Sequence, residues 1–158
     1  MPRSHVAKET LIDSVAHNLF LVLPVFRKRL LHMDVIQREF NVPLSHVQVM
    51  AMLQDNGSMN VSEISHKLGI AKPNLTPLID RLIADGFVER KRDDSDRRMV
   101  NVSICPSGTE RLREIREKMR LLVGEWASDL STTQLRAVDE SLRTINEVMG
   151  STLLKAQD

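Results

Sequence analysis

The 158-residue sequence predicts a mostly α-helical chain carrying one small antiparallel β-hairpin. Three observations lead there. Apolar residues recur every three or four positions over most of the length, the period of a helix with one buried face. Between Phe87 and Ile104 the period becomes two on either side of a charged centre, which is the pattern of a hairpin. Two short helical stretches stand directly before it, separated by the three or so residues around Gly69 to Ala71, so they must meet at a steep angle to share one core. Met59 to Ser107 thus has the layout of a winged helix-turn-helix, with longer helices on both sides.

In chain order, residues 8–40 read as one long helix, with Leu11, Ile12, Val15, Leu19, Val22 and Phe26 near helical spacing and Arg27, Lys28 and Arg29 beyond. Pro24 removes one backbone hydrogen bond and crowds the preceding turn, so a kink is expected close to residues 20–24. Ser45 with Gln48 forms a capping box, and Leu44 with Val49 stands at the staple positions, for a helix running to about Gln54 before Asn56-Gly57. Asn60 with Glu63 is a second box. It opens a helix over about 61–68, with Val61, Ile64 and Leu68 inward and Gly69 suited to a left-handed end.

From about Lys72, the positions Leu75, Leu78, Ile79, Leu82 and Ile83 make one apolar stripe that stops at Gly86. The opposite face carries Asn74, Thr76, Pro77, Asp80 and Arg81. Short hydrogen-bonding side chains with a cation near the helix start suit the major groove, where base edges present donors and acceptors. Phe87 to Lys91 and Met99 to Ile104 are the strands, and Arg92 to Arg98 the wing between them. Pro106 opens a helix to about Ala127 with Leu112, Ile115, Met119, Leu122, Val123 and Trp126 on its apolar side. Ser131 with Gln134 repeats the capping box before a last helix carrying Leu135, Val138, Leu142, Ile145 and Met149.

Composition narrows the class. The length suits one domain, in which residues 42–105 form the winged lobe and residues 8–40 plus 106–155 a helical dimerisation region, because the terminal apolar faces exceed what one small lobe can cover. No run of eighteen apolar residues and no apolar stretch after MPRSHVAKET exists, so neither a membrane span nor a signal peptide is expected. One cysteine excludes an internal disulfide and fits a reducing cytoplasm. The net charge is +1, and Lys72 to Arg98 holds seven basic against six acidic residues, so any nucleic-acid footprint must be local. No nucleophile motif, phosphate loop or paired carboxylates point to an enzyme.

The residues from Val61 to Gly108, VSEISHKLGIAKPNLTPLIDRLIADGFVERKRDDSDRRMVNVSICPSG, resemble the multiple-antibiotic-resistance regulator (MarR) family of bacterial transcription factors. The Asp-Gly helix end, the charged ERKRDDSDRR turn and Gly108 carry the resemblance together. It implies an obligate homodimer that binds pseudo-palindromic double-stranded DNA, usually as a repressor released by a small-molecule effector or an oxidant. It also places Arg98 at the family's wing tip, and it departs from the family's usual pattern at Pro77 and at Ala71, a weak helix cap.

The expected DNA contacts are Lys72, Pro73, Asn74, Thr76, Pro77 and Arg81 on the second helix, Arg90 at a phosphate, and Arg97 or Arg98 in the minor groove with Asp96 bracing the guanidinium. For the effector, His17, Phe20, Met50 and Met52 are the candidate pocket. Cys105 lies beside a helix start that can activate a thiol, yet reads better as a small residue at a strand end, because the family's oxidation sensors usually keep their cysteine in the first helix. His5, His17, His32, His46 and His66 match no metal-ligand spacing, so no metal and no cofactor are expected. The alternative to a DNA-binding regulator is a winged-helix module that binds protein.

Overall fold

A computed structural model describes residues 3–26, 33–92 and 100–155. The order is α1 (Arg3–Val25), α2 (Met33–Phe40), α3 (Leu44–Asn56), β1 (Met59–Asn60), α4 (Val61–Leu68), α5 (Lys72–Ala84), β2 (Val88–Arg92), β3 (Val100–Ile104), α6 (Pro106–Ala127) and α7 (Thr132–Lys155). The mostly helical class with a small antiparallel wing is therefore correct.

Local chemistry sets several boundaries. The Asn60 side chain accepts from the Glu63 amide at 3.0 Å, while the Glu63 carboxylate accepts from the Asn60 amide at 2.8 Å. Two amides that a helix start leaves without partners are thereby satisfied. Gly69 closes α4 in the left-handed conformation at φ 63°. At the far end of the chain the Ser131 amide donates to the Gln134 side chain at 2.9 Å and the Gln134 amide donates back to the Ser131 hydroxyl at 3.3 Å, as the motif requires.

Other boundaries differ from expectation. Ser45 and Gln48 form no capping box, because α3 begins at Leu44 and its N-cap is Pro43, whose carbonyl accepts from His46 at 3.0 Å and Val47 at 3.2 Å. Ser45 therefore lies inside the first turn, past the capping position. The first helix begins at Arg3 and holds Pro24 in its last turn. Helix α2 resumes at Met33, and residues 27–32 between the two, with Arg27, Lys28 and Arg29, lie outside the described residues. The short strand β1 is an addition that the sequence did not suggest.

The sheet has the order β1-β3-β2, all antiparallel, with Met59 opposite Val102 and Arg90 opposite the same residue on the other side. Val88 and Val102 are buried with Leu75, Ile79 and Leu82 of α5, Val49, Met50 and Leu53 of α3, Ile64 of α4, and Leu112 and Ile115 of α6. Three of the five stripe residues on α5 are thus fully enclosed, which fixes the helix's rotation and leaves its polar row outward. Arg111 of α6 lies 5.8 Å from the Phe40 ring and 5.7 Å from the Phe87 ring, and Lys118 pairs with Glu39 at 2.7 Å. These contacts hold α2 and the base of the hairpin against α6.

Candidate nucleic-acid interface

Helix α5 supplies the site. Its N-cap is Ala71, without a side-chain bond, but the Ala71 carbonyl accepts from Asn74 at 2.9 Å and Leu75 at 3.1 Å, and Pro73 stands in the first turn where its missing N–H costs nothing. Lys72, Pro73, Asn74, Thr76, Pro77, Asp80 and Arg81 are all exposed. The Thr76 hydroxyl donates to the Lys72 carbonyl at 3.0 Å, and Arg81 Nε donates to the Asp85 carboxylate at 3.1 Å. Pro77 lies inside the helix and offers no N–H to the Pro73 carbonyl. At the helix end Phe87 donates back to the Leu82 carbonyl at 2.9 Å, a closure that requires the positive φ of Gly86.

The hairpin stem adds a charged contact to this face. Arg90 reaches across from β2 to Asp80 of α5 at 2.7 Å, and Lys91 pairs with Glu89 at 2.6 Å. Arg90, expected at a phosphate, is therefore engaged by the helix. Its partner Asp80 had been read only as one polar residue of the row. Arg97, Arg98 and Asp96 lie outside the described residues, as does the whole stretch 93–99.

The residues singled out for an effector are dispersed. Met50 is fully buried in the core and Met52 packs at its edge, whereas Phe20 is 80% exposed and His17 is exposed on α1. Met50 is thus a packing residue of the winged lobe. Cys105 is the N-cap of α6 and makes no side-chain cap bond. Burial, with Glu89 nearby, pushes its thiol pKa up despite Lys91, the opposite of the shift that activates a thiol.

Such a lobe, with the polar row of α5 presented by its buried stripe, matches known regulators. A family model described as the MarR family covers residues 42–100. The chain is 30% identical over 111 residues to the HTH-type transcriptional regulator YfiV of Bacillus subtilis, covering 70% of this chain and 69% of YfiV. The chain belongs to the MarR family. It is also 33% identical over 92 residues to the transcriptional repressor MprA of Escherichia coli, a match that covers 58% of this chain and 52% of MprA. A MarR family protein of Bacillus stearothermophilus has the same fold, with a TM-score of 0.66 at 21% identity over 94% of this chain and 97% of that one. The chain is accordingly a MarR-family transcriptional regulator. Among its described residues no helix is long and apolar enough to cross a membrane.

Proposed function

We propose that this MarR-family regulator is a homodimeric repressor that binds a pseudo-palindromic DNA duplex, with α5 in the major groove and the wing in the minor groove. The observation that carries the reading is the exposed row from Lys72 to Arg81, opposite a stripe in which Leu75, Ile79 and Leu82 are fully buried. Asn74, Thr76 and Arg81 are the base-reading side chains of this proposal, Lys72 and Arg90 approach phosphates, and Pro73 and Pro77 shape the helix face. Arg98, or Arg97, with Asp96 behind it, is the minor-groove element. Three Asp residues stand in the wing at 93, 94 and 96, so the wing approaches phosphates only if its arginines lead. Two copies of the lobe read half-sites about 10 bp apart. A relative named as a repressor supports the direction of regulation. Release by a small-molecule effector in the cytoplasm belongs to the same reading, with His17, Phe20 and Met52 as positions to probe.

A mobility-shift assay on the DNA flanking its own gene, at two salt concentrations, tests this. Wild type is expected to prefer that duplex over unrelated DNA, and alanine at Asn74, Thr76 and Arg81 to remove the preference, each good bidentate contact being worth about 1–3 kcal/mol. Arg98→Ala is expected to weaken binding more on A·T-rich flanks than on G·C-rich ones, with circular dichroism unchanged. Equal binding of all duplexes by wild type would leave a protein-binding module instead.

A further inference from the structure

We infer that Asp80 is a positioning residue of the DNA interface, acting through Arg90 to set the hairpin stem against α5. The inference rests on the proposed DNA binding and deepens it. In β2 the residues that share a face alternate, so Arg90 lies on the same side as Val88, which is buried, and stands opposite Val102, also buried. That side of the hairpin packs on α5. A guanidinium leaving this face meets the polar row of α5, and the carboxylate it meets belongs to Asp80, at 2.7 Å. Asp80 follows Thr76 by one helical turn, so the ion pair joins the DNA-facing surface of the helix to the stem from which the wing projects.

Charge alone makes Asp80 a liability there. An unpaired carboxylate on the reading face repels phosphates, and removing it should tighten binding. Both partners are partly exposed, at 54% for the Asp80 side chain and 40% for Arg90, so the pair contributes little to overall stability. Its effect is geometric: it cancels the charge of Asp80 and fixes the guanidinium between α5 and the hairpin stem, where in the proposed complex it would meet a backbone phosphate. A dimer carries the pair twice, so a small loss in each half is multiplied.

The test is a double-mutant cycle read on the duplex that wild type selects from a random-sequence pool at about 0.15 M salt. Asp80→Asn is expected to weaken binding about three- to ten-fold, against the direction of its charge, while Asp80→Glu retains most of it. In an Arg90→Ala background Asp80→Asn is expected to cause no further loss. Melting temperature and circular dichroism of each variant report whether the fold is intact. Asp80→Asn binding as tightly as wild type or tighter, or weakening binding equally with and without Arg90, overturns the positioning role. A wild type that selects no duplex overturns the DNA reading and this inference together, whereas selection with an unaffected Asp80→Asn overturns the inference alone.

Discussion

His46 shows how a single side chain couples packing to pH. It sits at the start of α3 beside a cavity of about 210 Å³ lined by Gln37, Asn41, Pro43, Arg81 and Asp85, and its Nε2 is buried without a hydrogen-bond partner. Burial pulls its pKa below the ordinary value; Asp85 opposes this and Arg81 adds to it. The folded state therefore binds fewer protons at this residue than the unfolded chain, so the contribution is fully present above the unfolded pKa and is lost as pH falls through the folded one. Thermal melts from pH 7.5 to pH 5 are expected to show a fall in stability on the acid side that is smaller in His46→Gln. Equal slopes for the two proteins would assign the acid sensitivity to other groups. Because Arg81 lies in the last turn of α5 and Asp85 is its C-cap, the same protonation bears on the end of that helix.

At the scale of an element, two positions are governed by backbone. Gly108 opens α6 against the turn before β2, and a Cβ there would overlap the Phe87 carbonyl oxygen and approach Ile104 Cγ1 to 2.9 Å. The same carbonyl accepts from the Cys105 amide at 2.9 Å, so it cannot move without breaking the joint between hairpin and helix. Gly108→Ala is expected to cost about 1–3 kcal/mol, read as a lower denaturant midpoint with unchanged slope. Pro77 works in the opposite sense. It denies the Pro73 carbonyl its helical donor on an exposed surface, so Pro77→Ala should raise the melting temperature, by at most the ~3 kcal/mol that a helix-interior proline costs. An unchanged or lowered melting temperature would mean that the proline is needed by the packing of α5.

At the scale of the whole molecule, apolar faces on α1 and α7 stand open. Helix α1 packs extensively on none of the other described elements. Its Leu11, Ile12, Val15 and Leu19 line an open groove with Lys8 and Ala16, and Leu11 is 65% exposed. On α7, Ile145, Val148 and Met149 are also exposed. A free helix with so much apolar surface gains little from its own propensity, and in the proposed homodimer another copy of the same faces would cover it under two-fold symmetry. Ile12→Glu with Ile145→Glu is expected to turn a dimer into a monomer in sedimentation at micromolar concentration and to abolish DNA binding with the α5 row intact. A stable monomeric wild type would refute this assembly.

Legibility followed the range of the interactions. Asn60 with Glu63, Ser131 with Gln134, the left-handed Gly69 and the stripe of α5 were readable because each depends on bonds within about one helical turn or on one helical period. The same local logic misassigned Ser45, since whether a serine caps depends on where the helix starts, and Pro43 holds the N-cap, its carbonyl accepting from His46 and Val47. Strand β1 was invisible because two residues carry no period; it exists through pairing with β3, with Met59 set opposite Val102. Gly108 was a recognisable feature of the sequence, but the reason for it, the nearby Phe87 carbonyl, is a packing fact. Sequence alone thus determined the class, the helix that presents the polar row and the residues on it. Tertiary structure alone decided that Met50 belongs to the core and that Arg90 answers to Asp80. Both depend on strand register and helix rotation, which are set when distant apolar faces close on one another.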